Sequence, residues 1–378
     1  MTTALSTPYT LVTDREQFLD LCRVLERSER IAVDTEADSM HHYPERVCLV
    51  QVATPESTYL LDPFALRDLS PLGGALGDRR VLKLLHGADY DVRGLNRDWG
   101  LTFANIFDTH IAGQFMGLER VGLAALLLDL LDIDIPKDRR IQRADWSKRP
   151  LDDHALQYAA ADVHYLFALH DVMTERLREL GRLAWVQEEC ERLCEVRHSP
   201  QDLRETVLSL PESRKMDSRQ RAVLLALYQW REEQARRQDR PPSHVLPPGA
   251  LAEIAVEPSA PLERHKSLNP KLAMRFGRAI RGVVAEGLSG PPLERPPPSS
   301  PPRGRPTQGQ TRKLASLKAW RHAEAKAIEV HVSLVWPMRS LERLAREPQT
   351  FAEELRSPEV REWQRERFGA SLRRAVGG

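Results

Sequence analysis

The chain has 378 residues, 41% hydrophobic and 29% charged, the balance of a globular protein with two or three cores rather than one. No apolar run approaches the ~20 residues of a membrane span. The start, MTTALSTPYTLVTDREQF, lacks the basic and apolar stretches of a signal peptide, so a cytoplasmic protein is expected. The net charge of +1 conceals an asymmetry. Residues 1–211 hold 24 Lys and Arg against 35 Asp and Glu, a balance of −11. Residues 212–288 and 310–378 each hold 14 against 9, a balance of +5. A basic segment attracts a polyanion and an acidic one can hold divalent cations, with solvated helix surface the lesser alternative for either basic segment.

In chain order, ERIAVDTEA (29–37), RVCLVQVAT (46–54) and TYLLDP (58–63) are three short strands rich in Val, Ile, Leu and Thr, and their short connections predict an antiparallel meander. VLKLLHG (81–87) follows as a buried strand leading into the helix DVRGLNRDWG. The stretch LDDHALQYAAADVHYLFALHDVMTERLREL (151–180) has the pattern of one long amphipathic helix. Strands first, then alternating helix and strand, predict an α/β or α+β layer fold. Four cysteines make no disulfide framework. Cys190 and Cys194 share a helix face, where buried thiols are expected over a zinc site that lacks two further ligands.

Beyond a weaker break near 198–214, the composition changes. SGPPLERPPPSSPPRGRPTQGQ (289–310) is too proline-rich to pack and is expected to be a linker. The segments on either side of it repeat. A constant offset of 90 pairs Trp230 with Trp320, Arg231 with Arg321, Ala235 with Ala325, Ser243 with Ser333, Pro247 with Pro337 and Leu251 with Leu341. Two copies of one helical module follow, each with a leading helix, a proline-containing turn and a short helix near Leu251–Ala255 in the first copy. The tryptophans fall on apolar stripes, which makes them core anchors before base-stacking platforms.

Candidate chemistry lies in the acidic half. Asp34 and Glu36 sit two apart on a strand, so period-two alternation puts both carboxylates on one face. Such a pair repels unless a cation neutralises it. Asp91 follows the strand ending LLHG at the mouth of the next helix, and Asp162 lies on the long helix with Tyr158 one turn before it. Oxygen ligands suit Mg2+ or Mn2+, and four carboxylates on separate elements could hold two ions about 3.5–4 Å apart. Singly each acid is ordinary; a D-x-E on a strand arises often by chance.

VDTEADSMHHYPERVCLVQVAT, KLLHGADYDVRGL and YAAADVHYL resemble the three exonuclease motifs of the ribonuclease D family, the tyrosine-bearing branch of the DEDD exonucleases. NIFDTHIAGQFMG and RADWSKRPL match the family's pattern between the second and third motifs. The two helical copies resemble the HRDC module, the first more closely than the second. The resemblance implies a ribonuclease H-like α/β exonuclease domain, a mixed sheet flanked by helices, followed by two all-α HRDC-type domains. The implied boundaries are 1–205 for the exonuclease, 206–288 for the first helical domain, 289–310 for the linker and 311–378 for the second.

It further implies Asp34, Glu36, Asp91 and Asp162 as metal-holding catalytic acids. Asp34 would bridge two ions, Glu36 and Asp162 would complete the first site, and Asp91 would act on the second through water. Tyr158 would position the attacking water. Its ordinary pKa near 10 makes it a poor base alone. His86, Gln51 and His42 are further substrate-binding candidates. For His86 a structural histidine at a strand end competes and for Gln51 a core hydrogen bonder, while His42, beside His41, is expected to line a substrate rim rather than bind metal. Asp108 in FDTH is expected as a helix N-cap. Arg143, Lys148 and Arg149 are phosphate contacts or surface charge.

The expected activity is 3′→5′ hydrolysis of RNA with a free 3′ end, releasing 5′-mononucleotides. Precursors of tRNA and other structured RNA are the expected substrates, and a monomer without an obligate protein partner the default. The same four acids serve DNA exonucleases, and a non-catalytic nucleic-acid-binding scaffold remains a third class. Intact acids at all four positions disfavour that last reading.

Overall fold

The computed structural model describes residues 7–135, 138–296 and 305–377. Of the proline-rich segment, 297–304 lie outside the described residues. The described chain forms two compact units, one within 1–36, 47–198 and 302–378, the other within 37–46 and 199–301.

The first unit is built on a six-stranded mixed sheet of β1 (Thr10–Val12), β2 (Arg30–Ala37), β3 (Val47–Ala53), β4 (Thr58–Leu61), β5 (Leu82–Leu85) and β6 (Ile106–Asp108), in the order β1-β4-β3-β2-β5-β6. The 46–54 and 58–63 runs form the antiparallel β3–β4 pair, with Gln51 opposite Leu60. Parallel pairing of β5 to β2 and of β6 to β5 adds the other half. β2 is thus interior, and the sheet has its apolar residues buried on both faces.

The helix Arg15–Arg27 starts where Asp14 accepts the N–H groups of Glu16 and Gln17. It buries Phe18, Leu21, Cys22 and Leu25 at the spacing of one helical face. The 151–180 stretch is two helices, Asp153–His164 and Leu166–Glu179, not the one the periodicity predicts. At Tyr165 the N–H bonds Val163 O in place of the residue four back. The two halves bury different surfaces. The first lies on β3 and β4 with Ala155, Leu156 and Ala159 against Cys48, Leu49 and Leu60. The second lies on β5 through Leu166, Phe167, Leu169 and Met173. Packing against two places on a twisted sheet overrides a pattern that has no glycine or proline to break it.

The repeat is visible as structure. Helices Ser218–Gln238, Pro242–Val245 and Pro248–Val256 recur as Gln308–Ala327, Val332–Val335 and Met338–Arg346. Both leading helices begin with a reciprocal capping box, Asp217 with Gln220 and Thr307 with Gln310. Long helices Pro270–Ser289 and Glu362–Gly377 close the modules. Trp230 packs edge-on against Phe276 and Trp320 against Phe368, inside their modules as the apolar stripe predicts.

The first copy, with segment 37–46, makes up the second unit and has its own core, including Leu224, Leu227, Leu251 and Ile280. The second copy shares one core with the sheet unit: Leu317, Trp336, Trp363 and Phe368 are continuous with the apolar residues around β5 and β6.

Candidate active site

β2 carries Asp34 and Glu36 to one face, as alternation requires. The helix Asp153–His164 brings Asp162 to meet them. One carboxylate oxygen from each of Asp34, Glu36 and Asp162 lies within 4.8 Å of the others. Asp91, in the first turn of the helix Asp89–Trp99, is buried beside them and accepts a hydrogen bond from the Thr35 hydroxyl.

The electrostatics of this cluster are those of crowded like charges. Burial first, then the charge of Asp162, pushes the Asp34 carboxyl well above the usual carboxylate range. Burial and the charges of Asp34, Asp162 and Asp91 do the same to Glu36. Asp91 is raised by burial and by Asp34, against the Thr35 hydrogen bond. Asp162 is pushed up to about 7 by burial, against a hydrogen bond from Tyr158. Among the described residues no lysine or arginine pairs with any of the four. The donor set is therefore all hard oxygen with no internal countercharge, which fits a divalent cation of the Mg2+ or Mn2+ kind.

A cavity of about 260 Å³ opens onto the cluster, lined on its polar side by Asp34, His86, Gln142, Tyr158 and Asp162 and on its apolar side by residues such as Leu127. The Tyr158 phenol is held well above its usual range by burial and by Asp162, and so is neutral. Its oxygen accepts a hydrogen bond from Gln142 Nε2 at 3.1 Å.

His86 is fixed by a relay. The Thr109 hydroxyl donates to Leu85 O at 3.1 Å, so its oxygen must accept from His86 Nδ1, 2.9 Å away. Burial lowers the His86 pKa to about 4, so the ring is neutral and Nε2 is left as a hydrogen-bond acceptor.

Asp108 is the N-cap of the helix Thr109–Phe115, accepting from His110 N and Ile111 N. It also accepts from Gly87 N at 3.0 Å and Ala88 N at 2.8 Å, tying down the turn between His86 and Asp91. FDTH signals the cap; the second task depends on β5 and β6 being neighbours. Gln142 went unnoticed in the sequence, because a glutamine 16 residues before Tyr158 carries no local signal.

Two candidates are not among the residues lining this cavity. His42 lies in segment 37–46, where Nδ1 is 2.7 Å from Asp239 of the first helical copy. The adjacent Tyr43 donates its N–H to Asp239 and its hydroxyl to Glu232. Gln51 is fully buried in β3, outside the cavity lining, and neither amide atom has a hydrogen-bond partner among the described residues. Arg149 is structural: it makes a bidentate pair with Asp62 at 2.6 and 2.9 Å and donates to Cys48 O. Cys190 is a buried thiol at 3.3 Å from Asp108 N, and none of the four cysteines forms a disulfide.

The fold and the acidic cluster define a 3′→5′ exonuclease domain, mixed α/β and ribonuclease H-like, followed by helical HRDC-type domains. Residues 9–178 match the 3′-5′ exonuclease family and 220–284 the HRDC domain family. The chain is 30% identical over 369 residues to a ribonuclease D of Pseudomonas paraeruginosa, an alignment covering 97% of this chain and 96% of that one. Among solved structures it is similar to a Bifidobacterium adolescentis protein, with TM-score 0.81, 26% identity and coverage of 98% and 97%. The fold of Escherichia coli RNase D is also similar, with TM-score 0.77, 22% identity and coverage of 98% and 99%. The chain belongs to the ribonuclease D family. No helix among the described residues is long and apolar enough to cross a membrane.

Proposed function

We propose that this exoribonuclease of the ribonuclease D family removes nucleotides one at a time from the 3′ end of RNA in the cytoplasm. Precursors of tRNA and other structured RNA are the proposed substrates, and the acidic cluster is proposed to hold two divalent cations, Mg2+ or Mn2+. One observation carries the reading: carboxylate oxygens of Asp34, Glu36 and Asp162 within 4.8 Å of one another, with raised pKa values and no basic partner among the described residues, Asp34 and Asp162 lining a cavity. The Pseudomonas paraeruginosa relative named ribonuclease D supports the choice of RNA. So does the fold shared with the Escherichia coli enzyme, which is described as an exoribonuclease involved in structured RNA processing.

In this reading Asp34, Glu36 and Asp162 would hold the cations, and Asp91 would act on them through water. Bound there, the cations supply a nucleophilic water at neutral pH and neutralise charge on the leaving oxygen. Tyr158 stays protonated and orients the attacking water through its hydroxyl. His86 Nε2 accepts from a ribose hydroxyl of the terminal nucleotide. The apolar wall takes the base and keeps bulk water out. The domain boundaries proposed are those the resemblance implies, with the basic helical modules gripping RNA that the acidic domain alone would repel.

The test is a 5′-labelled single-stranded RNA and its DNA counterpart incubated in Mg2+, Mn2+ or EDTA. Wild type should produce a ladder shortening from the 3′ end on RNA, abolished by EDTA and by Asp34→Asn with Glu36→Gln. Shortening mainly of DNA would overturn the substrate, and no shortening in either metal would overturn the activity. The electrostatics add a second readout. Carboxyls whose folded pKa is raised lose stability for the fold as pH rises through that value. Asp162→Asn should therefore raise the urea midpoint of the metal-free protein at pH 8, with the gain shrinking as pH falls below 7 and vanishing only near pH ~4, where the carboxyl is protonated in the unfolded chain as well.

A further inference from the structure

Tyr158 has one phenolic proton and two lone pairs to place. Asp162 stands one turn further along its helix. Gln142 Nε2 lies 3.1 Å from the phenol oxygen. An amide N–H can only donate, so the phenol must accept there. Its own proton is thereby directed away from Gln142, to the side where the carboxylates stand.

The support behind Gln142 is built rather than incidental. It ends the short helix Arg139–Gln142, which Asp138 caps by accepting from Arg140 N at 2.8 Å. Its neighbour Ile141 is buried with Trp146, Ala155, Leu156 and Ala159, in the cluster against which Tyr158 also packs. The amide and the phenol are therefore anchored to the same few residues. Gln142 also lines the cavity with Asp34 and Asp162.

We propose that Gln142 is a positioning residue for hydrolysis: it holds the Tyr158 oxygen in place and sets the direction of its proton, so that the hydroxyl presents a donor to the reacting side. This rests on the reading that Tyr158 orients the attacking water. Gln142 itself touches neither the cations nor the scissile bond in this scheme, and acts only through the phenol.

The test is a cycle of Gln142→Met, Tyr158→Phe and the double variant in the full chain, with kcat and KM measured on a short single-stranded RNA in saturating Mg2+. One lost hydrogen bond to a reacting group predicts a kcat about tenfold lower for Gln142→Met. KM should stay within about twofold, because substrate contacts are untouched. Tyr158→Phe should fall further, and adding Gln142→Met to it should cost nothing more. Gln142→Glu keeps the shape but not the donor, and should lose kcat as Gln142→Met does. The proposal is overturned if Gln142→Met keeps wild-type kcat while Tyr158→Phe is impaired, or if the two losses multiply. A Tyr158→Phe variant with wild-type kcat would instead sink the role given to the tyrosine, and this inference with it.

Discussion

The two helical copies share a sequence pattern, capping boxes and short helices at a constant offset, yet one keeps a core of its own and the other has merged with the exonuclease. The difference lies at the start of the closing helix. Aligned on Phe276 and Phe368, Lys271 of the first copy corresponds to Trp363 of the second. Lys271 is exposed in a helix capped by its own Asn269. Trp363 is 3% exposed and stacks on Trp185 at 4.8 Å and 22°.

Glu188, from the helix Leu183–Cys194, accepts from Glu362 N at 2.7 Å and Trp363 N at 3.1 Å, supplying from the exonuclease side the cap that the first copy makes for itself. Arg182 donates to Phe115 O at 2.7 Å and to Ile328 O, and Arg361 pairs with Glu189 at 2.8 Å. At Gly117, φ is +78° and a side chain would collide with Glu329 O at 2.0 Å, so the close approach needs glycine. A repeat preserves the interior that makes it fold. A handful of surface positions then decide whether it stands free or becomes part of its neighbour.

Charge follows the same division. Both copies carry the same excess of basic residues, but in the second Arg361 is tied to Glu189 and Arg343 to Glu354 and Glu359. In the first, Lys271, Arg275, Arg278 and Arg281 lie exposed along one side of the closing helix. The closing helix of the second copy exposes Arg365, Arg367 and Arg373 too, but because that copy is committed to packing we expect the first to be the better surface for a polyanion.

Three measurements would break or sharpen this comparison. The largest effect is expected at the docked tryptophan. Trp363→Ala should cost about 3–5 kcal/mol in urea unfolding, as deletion of a buried aromatic does, while Lys271→Ala stays within about 0.5 kcal/mol. Equal losses would mean that the second copy is no more embedded than the first.

Next in size is RNA affinity. Replacing Lys271, Arg278 and Arg281 together by Ala should lower the slope of log K against log salt by about 2, at roughly 0.7 per phosphate contact of a single strand. Replacing Arg365, Arg367 and Arg373 of the second copy should change it less. A larger change from the second set would reverse the assignment of the RNA-facing copy.

The smallest effect belongs to the shared cap. Glu188→Ala should destabilise by about 1 kcal/mol, like the loss of a helix cap, with turnover on a short RNA unchanged. A collapse in turnover without a loss of stability would show that the docking contact acts on the active site and not only on the fold.

Much of the acidic cluster was legible before any tertiary structure. Alternation on β2 put Asp34 and Glu36 on one face, helical spacing put Tyr158 and Asp162 together, and motif order supplied the pairing of these elements. His42 has a partner that no local pattern signals. It sits eight residues after Asp34, but its segment is held by Asp239 and Glu232, nearly 200 residues away. Gln142 and the second task of Asp108 were missed for the same reason: each is defined by a partner on another element.

What the sequence determined by itself is what short-range physics controls. Strand alternation, helical periodicity, capping residues and an internal repeat act within a few residues or by comparison of like with like. Only the tertiary structure decided which faces meet: the break at Tyr165, the amide set against Tyr158, and the fusion of the second helical copy with the exonuclease core. Those outcomes depend on burial and on hydrogen-bond partners far apart in the chain, where a favourable contact outweighs a local preference of a few tenths of a kcal/mol.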